Sequence, residues 1–232
     1  MSKEQTSEPL IRISDLSVSF GHGEREVKAV RQASLEIGRG ETLALVGESG
    51  SGKSVTALSI MQLLPYPTAH HPSGSIMLEG EELMGAPAEV MQKIRGNRVA
   101  IIFQEPLTSL NPLHSIEKQL GEILFVHKKM EKGAARARII ELLDEVGLPD
   151  VEDRLTAYPH QLSGGQRQRV MIAMSLANDP DLLIADEPTT AVDVTIQAQI
   201  IALLRDIQAR RGMSVLLITH DLGIVRKVAH RV

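Results

Sequence analysis

A chain of 232 residues with net charge -4, 43% hydrophobic and 23% charged, is long enough for one large domain or two small ones, and its composition excludes a disordered tail or a fibrous repeat. The absence of cysteine removes disulfides, thiolate metal sites and cysteine nucleophiles together and fits a reducing compartment. Three phenylalanines, two tyrosines, no tryptophan and a near-neutral charge leave neither a basic footprint nor a stacking platform for nucleic acid.

The polar start, MSKEQTSEPL, has no apolar stretch behind a basic segment, so the expectation is a cytoplasmic chain without a signal peptide. Ile11, Ile13, Leu16 and Val18, then Leu35 and Ile37, recur at strand-like spacing and predict half-exposed antiparallel strands. Thr42 to Val46, Leu182 to Ala185 and Val215 to Ile218 are short apolar runs, suited to central strands of a parallel sheet covered on both faces. Leu64 to Gly74, with three prolines and two histidines, reads as a loop. The apolar run Val99 to Phe103 is far shorter than the roughly 18 residues that cross a bilayer. Ile116 to His127 and Lys132 to Val146 predict two helices, the second closed by Gly147 and Pro149. Another helix is expected from about Gln166 to Ala177, and Ile196, Ile200, Leu203, Leu204 and Ile207 form the stripe of a further amphipathic one. Strand and helix alternate, which argues for an α/β sheet with a helical insertion between about Pro106 and Pro159.

Gly47-Glu48-Ser49-Gly50-Ser51-Gly52-Lys53-Ser54 follows an apolar strand and precedes a helix, as a phosphate-binding loop must. Glycines let successive N–H groups curl around a phosphate, and the helix start adds partial positive charge. Lys53 is placed to neutralise the β- and γ-phosphates and the Ser54 hydroxyl to ligate Mg²⁺. The alternative is a glycine-rich turn with no ligand. Asp186 and Glu187 end the run Leu182 to Ala185, where open α/β sheets bind ligands. Asp186 suits Mg²⁺, held through water, and Glu187 suits orienting and deprotonating an attacking water; a solvated strand end is the competing account. Leu162-Ser163-Gly164-Gly165-Gln166 heads a helix with Ser163 at the N-cap, either an anion site or a capped helix with nothing bound.

With these three elements in order, the chain resembles the ATP-binding cassette (ABC) family of transport ATPases, of which LSGGQ is the signature. Gln104 in IIFQEP matches the family's Q-loop, Ala191-Val192-Asp193 its D-loop and His220 in ITHD its switch histidine; Phe20 lies where the family stacks an aromatic on adenine. The resemblance implies a P-loop NTPase, RecA-like α/β core with an antiparallel β subdomain and an inserted α-helical subdomain, the core over 1–105 and 160–232 and the helical part over 106–159. It implies that Gly47 to Val55, Val55 included, bind ATP, that Ser54, Gln104 and Asp186 hold Mg²⁺, and that Lys53, Gln104, Glu187 and His220 serve catalysis. It implies too that Gln104 couples nucleotide to a membrane subunit, that His220 touches the γ-phosphate, and that Leu162 to Gln166 and Asp193 act across a head-to-tail dimer. Val192 stands where the family usually has leucine, and the stop at Val232 raises the expectation of a truncated chain or one half of a longer protein.

Longer strings, VGESGSGKSVTALSIMQLLP and YPHQLSGGQRQRVMIAMSLA among them, look like the oligopeptide, dipeptide and nickel importer group; within it, the string IVRKVAHRV and the proline-histidine loop near Pro65 look most like the first cassette of double-cassette peptide importers of the microcin C type. The implied partners are a second ABC cassette (identical, different or in tandem), transmembrane permease subunits and a periplasmic or extracellular solute-binding protein, at the cytoplasmic face of the cell membrane, with no nucleic acid. The rival function is a non-transport ABC ATPase serving translation or DNA repair. No sustained heptads lie between Ser54 and Leu162 for a repair-type coiled coil, and no charged linker or basic arm suggests RNA. Arg167 and Arg169 read as a solvated or interface face, and His70-His71 as loop residues more than as a metal site.

Overall fold

The computed structural model describes residues 8–104, 109–189 and 193–232. They divide into two compact units, residues 1–94 with 212–232, and residues 95–211.

In the first unit, β1 (Ile11–Phe20) and β2 (Val27–Ile37) pair antiparallel, and β1 pairs on its other side with β4 (Ala69–Leu78), which carries the short β5 (Glu81–Glu82). The sheet order is β2-β1-β4-β5. Ile11, Ile13, Leu16 and Val18 of β1 are buried, although the step from 13 to 16 breaks strict alternation. A bulge absorbs the extra residue: Asp15 has φ +49 and the β1–β2 register shifts between Ile13 and Leu16. Gly74 opposite makes the bulge possible, because with φ +112 a Cβ there would stand 2.5 Å from the Leu16 Cα.

The loop expected over 64–74 is corrected by the structure, where β4 begins at Ala69 and pairs Ala69 with Phe20 and His70 with Ser19. Proline concealed the strand in the sequence. Pro72 falls in the irregular stretch between the pairs Ser17–Ser73 and Ser19–His70, where the ladder demands no regular donor. His70 stacks on His22 with centroids 4.8 Å apart, and His71 Nε2 lies 3.3 Å from Ser59 Oγ. Among the described residues no three His, Asp, Glu or Cys side chains are arranged to hold a metal ion.

Parallel strands β3 (Thr42–Val46) and β8 (Ser214–Thr219) pair in register from Thr42–Val215 to Val46–Thr219. All six residues of β8 are buried, as the apolar run requires. Helices α1 (Lys53–Ile60), α2 (Ala88–Ile94) and α8 (Leu222–Val228) complete this unit.

The second unit is built on β6 (Val99–Ile102) and β7 (Leu182–Asp186), paired in parallel. Its helices are α3 (Ile116–Lys128), α4 (Lys132–Glu145), α5 (Val151–Arg154), α6 (Gly164–Leu176) and α7 (Val194–Arg211). Gly147, with φ +67, closes α4 by donating to the Asp144 carbonyl at 2.8 Å, so the glycine stops the helix as expected. Helix α6 begins at Gly164, directly after the N-cap Ser163 that the sequence predicts. Arg169, half-buried on α6, donates from its guanidinium to the Val146 carbonyl and Gln199 Oε1. Among the described residues no helix is long and apolar enough to cross a membrane.

Asp179, in the turn between α6 and β7, gathers three cations: Lys128 Nζ at 2.6 Å, Arg138 Nη2 at 2.9 Å and Arg211 Nη1 at 2.9 Å. It thereby ties α3, α4 and α7 to one point. Burial alone would raise its pKa, but the Lys128 hydrogen bond and the three positive charges outweigh that and hold it below the ordinary aspartate value. A depressed folded pKa contributes stability above the unfolded pKa and loses it as pH falls through the folded one. Asp179→Asn is therefore expected to lower stability at pH 7 by about 1 kcal/mol, solvent screening limiting the effect. In thermal melts the gap from wild type should shrink as pH drops below the aspartate range and in high salt; a gap independent of pH would contradict the ion-pair account.

Candidate functional site

In the first unit β3 ends at Val46, the loop runs from Gly47 to Gly52, and α1 begins at Lys53. Gly50 and Gly52 have φ +79 and +90, a region that side chains disfavour. Space makes Gly52 stricter still: an added Cβ would stand 2.6 Å from the Ala29 carbonyl oxygen and 3.1 Å from Val30 Cγ2 of β2. Helix α1 has no side-chain cap, so its first N–H groups have no partner from a capping side chain, the arrangement that suits an anion.

Lys53 is only 8% exposed. Its ammonium donates to the Gly47 carbonyl at 2.8 Å, the Glu48 carbonyl at 2.7 Å and Ser51 Oγ at 3.3 Å, which compensates the loss of water. The loop is thus folded around a positive charge. Glu48, Ser49, Gly50 and Ser51 are exposed at the loop surface, whereas Ser54 and Val55 are half-buried on the first turn of α1. Phe20, at the end of β1, is half-buried and pairs with Val27 and Ala69. His220 is exposed in the turn after β8, a turn held by Asp221, which caps α8 through the N–H groups of Gly223 at 2.7 Å and Ile224 at 3.3 Å.

In the second unit Asp186 is the last residue of β7 and 7% exposed. Glu187 follows with φ +46, a left-handed backbone uncommon for a residue bearing a side chain. Gln104, exposed beyond β6, donates from Nε2 to Glu187 Oε2 at 3.1 Å. Ser163 caps α6 reciprocally with Gln166, Oγ accepting from the Gln166 N–H at 3.3 Å and Gln166 Oε1 from the Ser163 N–H at 2.9 Å. Leu162 is buried, Gly164 is exposed, and a Cβ on Gly165 would lie 3.1 Å from Ile196 Cγ2, so this glycine lets α6 and α7 approach.

Asp193 caps α7, Oδ1 accepting from the Ile196 N–H at 2.9 Å; Ala191 and Val192 lie outside the described residues. Gln168, which no motif singles out, is buried and donates to the Pro188 carbonyl at 2.6 Å, anchoring the turn after Glu187 to the signature helix. Its signal was a polar residue at a core-facing position of α6. A cavity of about 500 Å³ lies between α3 and α4, lined by Phe125, Met130 and Ile139 among others, and none of the expected site residues borders it.

Two structural units, each presenting loops at the carboxyl ends of parallel strands, define the class: an α/β nucleotide-binding cassette. Residues 30–190 match the family described as "ABC transporter", and the chain belongs to that family. It is 59% identical over 230 residues to the peptidoglycan transport ATP-binding protein YejF of Agrobacterium fabrum, covering 99% of this chain and 42% of that protein. It is 52% identical over 223 residues to the oligopeptide transport ATP-binding protein OppD of Bacillus subtilis, covering 96% of this chain and 62% of that one. The chain therefore spans less than two thirds of these relatives. Among solved structures it resembles the dimeric post-hydrolysis state of the cassette MJ0796 bound to ADP and Pi, with TM-score 0.81 and 29% identity over 93% of this chain and 90% of that one. It also resembles cbiO1 of Clostridium perfringens, part of the transporter complex cbiONQ, with TM-score 0.79 and 25% identity over 96% of this chain and 83% of that one.

Gly52→Ala places a methyl group against the Ala29 carbonyl in a disfavoured φ region. It should weaken nucleotide binding at least about tenfold, because loop or strand must move by more than packing tolerates. Gly133→Ala, in α4 with nothing within 4 Å of its added Cβ, should leave binding unchanged. Equal affinities of the two variants, measured by equilibrium titration, would contradict the steric account.

Proposed function

We propose that this chain is the ATP-hydrolysing cassette of an importer that takes up peptides through separate membrane subunits. One observation carries the reading: the Lys53 ammonium, buried and held by the carbonyls of a glycine loop at the mouth of an uncapped helix, which suits a triphosphate. In this reading Gly47 to Val55 cradle the phosphates, Lys53 neutralises the β- and γ-phosphates, and Phe20 supports the base. Ser54, Asp186 and Gln104 offer only hard oxygen donors, a set that fits Mg²⁺, and the ion would neutralise charge on the phosphates. Glu187 takes a proton from the water whose oxygen bonds the γ-phosphorus as the bond to the ADP oxygen breaks, and His220 contacts the γ-phosphate. Ser163 to Gln166, Leu162 and Asp193 serve the nucleotide of a second cassette, whether identical, different or in tandem.

The names of the relatives support peptide import over translation or repair, and the dimeric MJ0796 structure supports the paired cassette. Transmembrane permease subunits and a solute-binding protein on the far side complete the proposed assembly, with this chain at the cytoplasmic face. The test is Glu187→Gln. Its ATP affinity should stay within about twofold of wild type while phosphate release falls by about a hundredfold or more, the usual weight of a general base. Hydrolysis at the wild-type rate would assign the base elsewhere.

A further inference from the structure

The register of β6 and β7 pairs Ile102 with Ala185. Two residues on along each chain, Gln104 comes opposite Glu187, and the amide Nε2 meets Glu187 Oε2 at 3.1 Å. An ionised carboxylate only accepts hydrogen bonds, so the NH₂ end of the amide must face it. The backbone of Glu187 is itself constrained. Its φ of +46 is a conformation that persists only where the surroundings impose it, and Gln168 grips the next residue through the Pro188 carbonyl.

We propose that Gln104 and Glu187 orient each other, resting on the function read above. The carboxylate fixes which end of the Gln104 amide turns away from it, namely the oxygen, the only end able to serve a cation. In return the N–H holds the carboxylate in one rotation about its side chain. Glu187 is thus a positioning residue for Gln104 as well as the proposed base, and any partner that displaces Gln104 acts on Glu187 without an intermediary.

Charge and hydrogen bonding must be separated to test this. Glu187→Gln removes the charge but keeps an oxygen that can accept from Gln104, whereas Glu187→Ala removes both. Neither variant has the base, so ATP stays intact during measurement. The readout is the ratio of ATP affinity with Mg²⁺ to that with EDTA, taken for both variants with Gln104 present and with Gln104→Ala. The Mg²⁺ ratio should be about two- to tenfold smaller in Glu187→Ala than in Glu187→Gln, the weight of one hydrogen bond. That difference should vanish once Gln104 is alanine, as coupled residues require. Unchanged affinity in EDTA shows that the phosphate loop is folded in all four proteins. Equal ratios in the two Glu187 variants, or a difference that survives Gln104→Ala, overturns the pairing while leaving the function standing. A wild-type chain whose ATP affinity ignores Mg²⁺ overturns the function, and the pairing with it.

Discussion

A desolvated ammonium needs oxygen around it, and the loop between β3 and α1 is shaped by that need. Leaving Lys53 buried without partners would cost several kcal/mol, so the Gly47 and Glu48 carbonyls turn inward to meet it. Carbonyls that point inward oblige the chain to reverse within a few residues, which brings Gly50 and Gly52 to positive φ. At Gly47, with ordinary φ, a Cβ would stand 2.9 Å from Ser51 Oγ, so a side chain there requires the hydroxyl that accepts from Lys53 to turn away. The loop also needs a fixed base, which β3 supplies by pairing along its whole length with the fully buried β8.

The same geometry recurs within each unit. Where β3 ends the phosphate loop begins, and where β8 ends His220 follows; past β6 stands Gln104, and at the end of β7 stand Asp186 and Glu187. Parallel strands present the chemistry at their carboxyl ends because the crossover connections leave those ends to loops. Helix caps then set the loops. Asp221 after His220, Ser163 before the signature glycines and Asp193 before α7 each satisfy helix N–H groups, so Ser163 and Asp193, with expected roles toward nucleotide, also hold the backbone that carries them.

Much of this was legible in the sequence, because buried parallel strands are nearly continuous apolar runs and glycines mark turns that nothing else can make. Thr42 to Val46 and Leu182 to Ala185 announced themselves in that way. Strand β4 did not: Pro72 and the paired histidines look like punctuation until the neighbouring strand shows that the proline sits in a register shift. The motifs give Gln104 and Glu187 separate roles, yet their hydrogen bond depends on the β6–β7 register, a property that neither segment carries alone. Gln168 is hidden in the sequence for the same reason, as its partner, the Pro188 carbonyl, lies 20 residues away.

The central claim is that the Lys53 loop is built for a triphosphate, and ligand-dependent melting of the chain tests it most directly. With Mg-ATP at about a hundred times its dissociation constant the wild-type fold should gain about 2.7 kcal/mol, seen as a rise in melting temperature. Lys53→Ala should lose that rise. A melting temperature unmoved by Mg-ATP, or raised equally in the two proteins, would contradict the account.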